Sequence, residues 1–278
     1  MLSLHRAFDG DSQAGDALPA VFRSLEAADI RFYRSALHMS VGRPGGGKSI
    51  FGLNHAIKCK VPALYVSCDM SRFTLAARAA AVLTGESVAD IKQHVTHGQG
   101  KERYRATLKS LDHLYLALEK RPTAEDLEDV LLAFQERWGI PPHLIVIDNL
   151  MNLMPYASDE FAGLREMSHV LDFFAHDLGA AVHALHHINI GGQPMDRPAA
   201  LDAVKGKIVE LPALILSGSK TDTEFRVTAV KNREGREDPK AQGFVSLTLE
   251  PKSLALSDPQ PRIPAPAYWG MDLAAKDR

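Results

Sequence analysis

A chain of 278 residues, 45% hydrophobic and 24% charged, is long enough for one substantial packed core and too apolar for a disordered or fibrous protein. A formal net charge of −2 excludes a global positive field that would draw it to nucleic acid or an anionic membrane, so any such contact must be local. No apolar run nears the roughly 20 residues that cross a bilayer, the N-terminus is acidic where a secretion signal is apolar, and the two cysteines, Cys59 and Cys68, suit core thiols in a reducing cytoplasm.

In chain order, a polar lead gives way to residues 18–30, where Val21, Phe22, Leu25 and Ala28 can share one helical face. That segment either packs locally or docks as a linker on a neighbouring subunit. Short runs rich in Val, Ile and Leu then predict strands at 36–41, 63–67, 114–118, 144–148, 180–185, 214–219, 225–231 and 244–249. Between them, 49–59, 72–83 and 160–177 read as helices, and Leu127, Val130, Leu131, Phe134 and Trp138 recur at helical spacing behind the capping residue Thr123. Alternation of this kind predicts an α/β fold with a mostly parallel sheet covered by helices. The last two strands have no helix between them and are expected to form an antiparallel hairpin through the polar loop 232–242. From Pro251 onward the chain is proline-rich and is expected to be extended.

The densest chemical signal is Gly42-Arg43-Pro44-Gly45-Gly46-Gly47-Lys48-Ser49, a G-x-x-x-x-G-K-S string between a predicted strand and a predicted helix. Glycines let backbone N–H groups turn inward around phosphate oxygens, Lys48 reaches the β and γ phosphates of ATP, and the Ser49 hydroxyl ligates Mg²⁺. About 100 residues later, Leu144-Ile145-Val146-Ile147-Asp148 is a buried-strand pattern ending in a carboxylate. Asp148 is the expected second anchor for the Mg²⁺, acting through water.

The run Ile147-Asp148-Asn149-Leu150-Met151 resembles the same region of DnaB-type hexameric replicative helicases, RecA-like motors, and three further landmarks follow that family's pattern. Ser67-Cys68-Asp69-Met70 is similar to the family's Ser-Leu-Glu-Met, which implies that Asp69, one methylene shorter, activates the attacking water. Leu185-His186-His187-Ile188-Asn189 resembles Leu-Ser-Gln-Leu-Asn, which puts His187 in the place of the residue that senses the γ-phosphate. Val230-Lys231-Asn232-Arg233-Glu234-Gly235 is close to Ala-Lys-Asn-Arg-Asn-Gly, which implies that Lys231 and Arg233 reach a neighbouring subunit's nucleotide, Arg233 as an arginine finger. Taken alone, that string reads equally as an exposed basic turn.

The resemblance divides the chain into a lead (1–33), a RecA-like ATPase domain (34–250) and a tail (251–278). It leaves no room for that family's N-terminal helical domain, so a single-domain motor of phage or plasmid type is expected. It also implies self-assembly into a hexamer, single-stranded DNA as substrate, and primase or other replisome proteins as further partners. For DNA the expected contacts are Lys205, Gly206 and Lys207, with Arg197, in the polar segment 190–209 that lines the family's central channel; the same segment also reads as a solvated loop. Other readings are a RecA- or KaiC-like recombination or regulatory ATPase and a small-molecule P-loop kinase. The kinase would need an arginine-rich lid, and the basic pair here lies on a late hairpin instead. The histidines His94, His97, His183, His186 and His187 lack the cysteine or carboxylate partners of a zinc site.

Overall fold

The computed structural model describes residues 15–191 and 195–260. The lead before Gly15, the residues Gly192, Gln193 and Pro194 of the polar segment, and the tail from Pro261 lie outside the described residues.

The aliphatic runs form a nine-stranded sheet of order β3-β2-β4-β5-β1-β6-β7-β8-β9. Its strands are β1 (Ala36–Gly42), β2 (Ala63–Ser67), β3 (Leu114–Ala117), β4 (Leu144–Asp148), β5 (Ala181–His187), β6 (Leu214–Lys220), β7 (Glu224–Asn232), β8 (Val245–Leu249) and β9 (Leu256–Ser257). The first six are mutually parallel, and β7, β8 and β9 are antiparallel additions. Central strands such as β4, buried at every position, read as unbroken apolar runs because helices cover both faces. Each buried Leu, Ile or Val there contributes about 1.5–3 kcal/mol.

On one face, α2 (Lys48–Cys59) and α3 (Arg72–Thr84) pack with the N-terminal segment; on the other lie α6 (Ala124–Trp138) and α7 (Glu160–Asp177). Helix α6 starts at the expected cap: the Thr123 side chain accepts from the Asp126 N–H while Asp126 answers the Thr123 N–H, and Gly139 ends the helix in the left-handed region. Leu25 of the short helix α1 (Arg23–Glu26) and Leu18, Phe22, Ile30 and Phe32 on either side of it are buried with Phe51 and Ile57 of α2. The segment thus packs locally within this chain.

Antiparallel pairing begins one strand earlier than expected, because β6 already turns back into β7 through residues 221–223, closed by the Thr221 N–H donating to Glu224 O at 2.9 Å. Two helices, α4 (Val88–Thr96) and α5 (Lys101–Leu108), were not anticipated; they bury only Ile91 and Tyr104 against Ala77, Ala80 and Ala81 of α3. Nor are residues 251–260 simply extended. Leu256 is fully buried in β9, the Asn54 amide of α2 donates to Leu254 O and accepts from Leu256 N–H, both at 2.9 Å, and Lys58 donates to Leu256 O. Asp258 then accepts from the N–H groups of Arg23 and Ser24, each at 2.9 Å.

Beneath the ends of β1 and β5 lies a buried imidazole cluster. Ser40 Oγ is 2.7 Å from His183 Nε2, His183 Nδ1 is 3.2 Å from His55 Nδ1, and His38 Nε2 accepts the Tyr33 N–H at 3.0 Å. The Phe32 ring lies against all three imidazoles. Burial lowers His38 to about 4 and His55 to about 3, and holds His183 well below its ordinary value.

Candidate active site

The C-terminal ends of β1, β2, β4 and β5 meet at one edge of the sheet, and four of the sequence landmarks converge there. The phosphate loop, residues 42–47, leaves β1 and delivers the chain to α2 at Lys48, with Gly47 at φ +93°. A side chain at Gly47 would be strained at that φ and would also meet the Phe225 ring at 3.0 Å, so glycine is required twice over. No side chain caps α2, which leaves its first-turn N–H groups and the positive end of its dipole facing the loop, a ready anion site. Arg43 bends over the loop and donates to Ile190 O at 3.4 Å.

Lys48 is buried, and its ammonium donates to Gly42 O at 2.9 Å and Arg43 O at 2.8 Å. His187 pairs with Gly42 across β1 and β5, and its Nδ1 stands 3.4 Å from Lys48 Nζ. An ammonium can only donate, so Nδ1 accepts and the imidazole carries its proton on Nε2. Burial, and then the charges of Lys48 and Lys205, lower His187 to about 4, in keeping with a neutral ring. Lys48 is itself lowered to about 8 by burial, opposed by Asp148 and Asp69.

Asp148 closes β4, 2% exposed. Ser49 Oγ donates to its Oδ1 at 3.0 Å, and Tyr65 of β2 donates to its Oδ2 at 2.7 Å. Burial raises the Asp148 carboxyl above its ordinary range, opposed by these two hydrogen bonds. Ser67 pairs with Asp148 in register, and its buried Oγ has no hydrogen-bond partner among the described residues. A hydroxyl, a carboxylate and a spare buried hydroxyl form an all-oxygen set that suits a hard divalent cation such as Mg²⁺ and its waters. Asp69 follows β2, is exposed, and bears electrostatically on both Lys48 and Asp148.

Lys231 and Arg233 are elsewhere. Asn232 between them pairs with Leu214, which pairs with His38 near the start of β1, whereas the phosphate loop leaves the other end of that strand. His38 lies four residues before Gly42, an offset of about 13 Å along the sheet at 3.3 Å per residue, beyond the reach of an arginine. Lys231 Nζ donates to Val209 O at 2.6 Å and Glu210 O at 2.8 Å, and Arg233 donates to Glu210 O at 2.6 Å. Both cations are thus held side by side on one loop.

Lys205, Gly206 and Lys207 form a tight turn after β5, with Gly206 at φ +73° and a Cβ there only 2.8 Å from Leu164 Cδ1. Lys205 pairs with Glu160 at 2.7 Å, and its carbonyl lies 2.7 Å from His186 Nε2, which ties the turn to the residue beside His187. Arg197 and Lys207 are exposed.

Two neighbours of the site were not read from sequence. Tyr65 carried a signal, since a tyrosine in an aliphatic strand needs a partner for its hydroxyl. Lys220 carried none; it reaches the phosphate loop, with its Cβ 3.3 Å from where a side chain on Gly47 would begin, because β6 and β7 turn back beside that loop.

Residues 31–193 match a family described as an AAA domain, AAA_25. The gene 65 protein of Mycobacterium phage L5 is 32% identical over 255 residues, 88% of this chain and 94% of that protein. The gene 65 protein of Mycobacterium phage D29 is 29% identical over 225 residues, 77% of this chain and 96% of that protein. Among solved structures, a DnaB-like replicative helicase studied with its interactions with primase superposes with a TM-score of 0.75 at 15% identity, over 92% of this chain and 67% of that one. A second solved structure, an ATPase domain on its own, gives 0.75 and 15% as well, over 92% of this chain and 96% of that one. At such identity the two structures speak to the fold, which is RecA-like with a phosphate-binding loop.

Proposed function

The chain belongs to the AAA_25 family of AAA domains, and from that premise we propose that it is an ATP-driven translocase that assembles as a homohexameric ring on single-stranded DNA and separates duplex strands. A phosphate-loop domain of this family is a nucleoside triphosphatase; ATP, the ring and DNA are the proposal.

The observation that carries it is the separation of the site into two halves on one chain. Lys48, Ser49, Asp69, Asp148 and His187 gather at one edge of the sheet, and Lys231 with Arg233 at the other. A cation pair so placed can act on a γ-phosphate only when a second copy brings its own phosphate loop alongside. In that arrangement Lys48 contacts the β and γ phosphates, and Asp69 accepts the proton of the attacking water. His187 donates from Nε2 to the γ-phosphate, and Arg233 of one copy steadies the charge developing in the next. Ser49 and Asp148 would hold Mg²⁺, which neutralises phosphate charge when bound.

The turn at Lys205–Lys207 supports a DNA contact. It is tied through His186 to the strand end that bears His187, and repetition around a ring would concentrate positive charge that one mildly acidic subunit lacks. Primase, with which the DnaB-like structure was studied, is the proposed protein partner. The test is light scattering with and without ATP and an oligonucleotide, beside an ATPase assay. Six-fold mass together with DNA-stimulated turnover supports the proposal; a monomer that hydrolyses ATP at full rate overturns it.

A further inference from the structure

Tyr65 is fully buried, flanked on β2 by aliphatic residues, and its hydroxyl donates to Asp148 Oδ2 at 2.7 Å. Ser49 takes the other oxygen at 3.0 Å. These two hydrogen bonds differ in kind. Ser49 sits in the first turn of α2 beside the phosphate loop, is only partly buried, and has a hydroxyl free to turn toward a ligand. Tyr65 has no such freedom: its ring is packed in the core with Leu75 of α3 and Val146 of β4, and rotating it out would open a cavity.

We propose that Tyr65 is a positioning residue for the hydrolysis reaction: by occupying Oδ2 of Asp148 permanently, it fixes the carboxylate so that only Oδ1 is presented to Ser49 and to the hydrated metal of the bound nucleotide. A carboxylate in a buried setting has two equivalent oxygens and can turn about its Cβ–Cγ bond; a rigid donor on one of them removes that freedom and leaves a single acceptor in the productive direction. Partners that hold a metal-binding carboxylate in this way typically matter by about 10- to 100-fold in metal affinity or activity. Tyr65 touches neither phosphate nor water itself; it acts through Asp148. The inference rests on the proposed nucleotide site.

The direct test is Tyr65→Phe, which removes one oxygen and keeps the ring. With Mn²⁺ as the probe, electron paramagnetic resonance should show Mn²⁺ bound to the wild-type protein–ATP complex and an affinity about 10-fold or more weaker in the variant. Binding of a fluorescent ATP analogue in EDTA should be unchanged, and kcat should fall while KM for ATP stays near its wild-type value. Added to Asp148→Asn, the change should have no further effect. Mn²⁺ affinity and kcat at wild-type levels in Tyr65→Phe overturn the inference, as does a loss of kcat that persists in the Asp148→Asn background. If Tyr65→Phe does not fold, 3-fluorotyrosine placed at position 65 serves instead. Its ¹⁹F resonance should move on adding Mg²⁺ with ATP and should lose that response in Asp148→Asn; a resonance indifferent to both overturns the inference. A wild-type protein that binds no Mn²⁺–ATP at all would instead remove the nucleotide site on which this role depends.

Discussion

Lys48 Nζ and His187 Nδ1 face each other at 3.4 Å across the paired ends of β1 and β5, so the group that would grip the polyphosphate and the group that would read its last phosphate share one contact. Lys48→Ala would delete the proposed β,γ-phosphate contact and the partner of His187 together. ATPase activity is expected to vanish while the fold persists, as checked by phosphate release and circular dichroism. Unchanged turnover would remove the phosphate-loop assignment.

Arg233→Ala should leave nucleotide binding intact, since Arg233 is at the far edge of the sheet from its own loop. Turnover should drop by about 10³-fold, the lower range for a lost arginine finger. Mixing inactive Arg233→Ala subunits with wild type should suppress activity more than dilution does. Activity strictly proportional to the wild-type fraction would place the finger's action within one subunit.

Changing Lys205 and Lys207 together to Ala should weaken single-strand binding and flatten its salt dependence. Each lost phosphate contact removes about 0.7 from the slope of log K against log salt, roughly 1.4 for the pair. Lys205 already spends part of its charge on Glu160, so Glu160→Gln should strengthen binding modestly. Titrations of a labelled oligonucleotide across salt concentrations measure both; an unaltered slope sends the DNA site elsewhere.

The imidazoles of His38, His55 and His183 are neutral in the fold and titrate near 6.5 in an unfolded chain. Below about 6.5 the unfolded chain therefore binds more protons than the folded one. Stability present above that pH is lost as pH falls toward the folded values of about 4 and 3. The loss is roughly 1.4 kcal/mol per pH unit for each imidazole. Urea midpoints should fall steadily from pH 7 to pH 5; a flat profile would mean that these rings are not buried.

The parallel half of the sheet was legible because its strands are covered on both faces and read as aliphatic runs, and the phosphate loop because its spacing is fixed by chemistry. Helices α4 and α5 were not, since each buries a single large side chain, Ile91 or Tyr104, too little to set up a helical period. The turn from β6 to β7 was missed because Thr221, Asp222 and Thr223 lack the glycine or asparagine that marks tight hairpins. What sequence could least reveal is pairing at a distance: that the hydroxyl of Tyr65 would find Asp148, 83 positions away, depends on β2 and β4 becoming neighbours.

The helix that follows the phosphate loop is gripped by segments near both ends of the described residues. Phe22 and Phe32 press on its middle turns, Leu254 and Leu256 are stitched to Asn54, and Asp258 fastens the second strap to the first. Shortening the protein at residue 250, where composition suggests a dispensable appendage, would leave the Asn54 amide with only its bond to Ile50 O and would take from Leu249 its strand partner Leu256. Genetic trimming that aims for a minimal motor should therefore stop no earlier than Asp258.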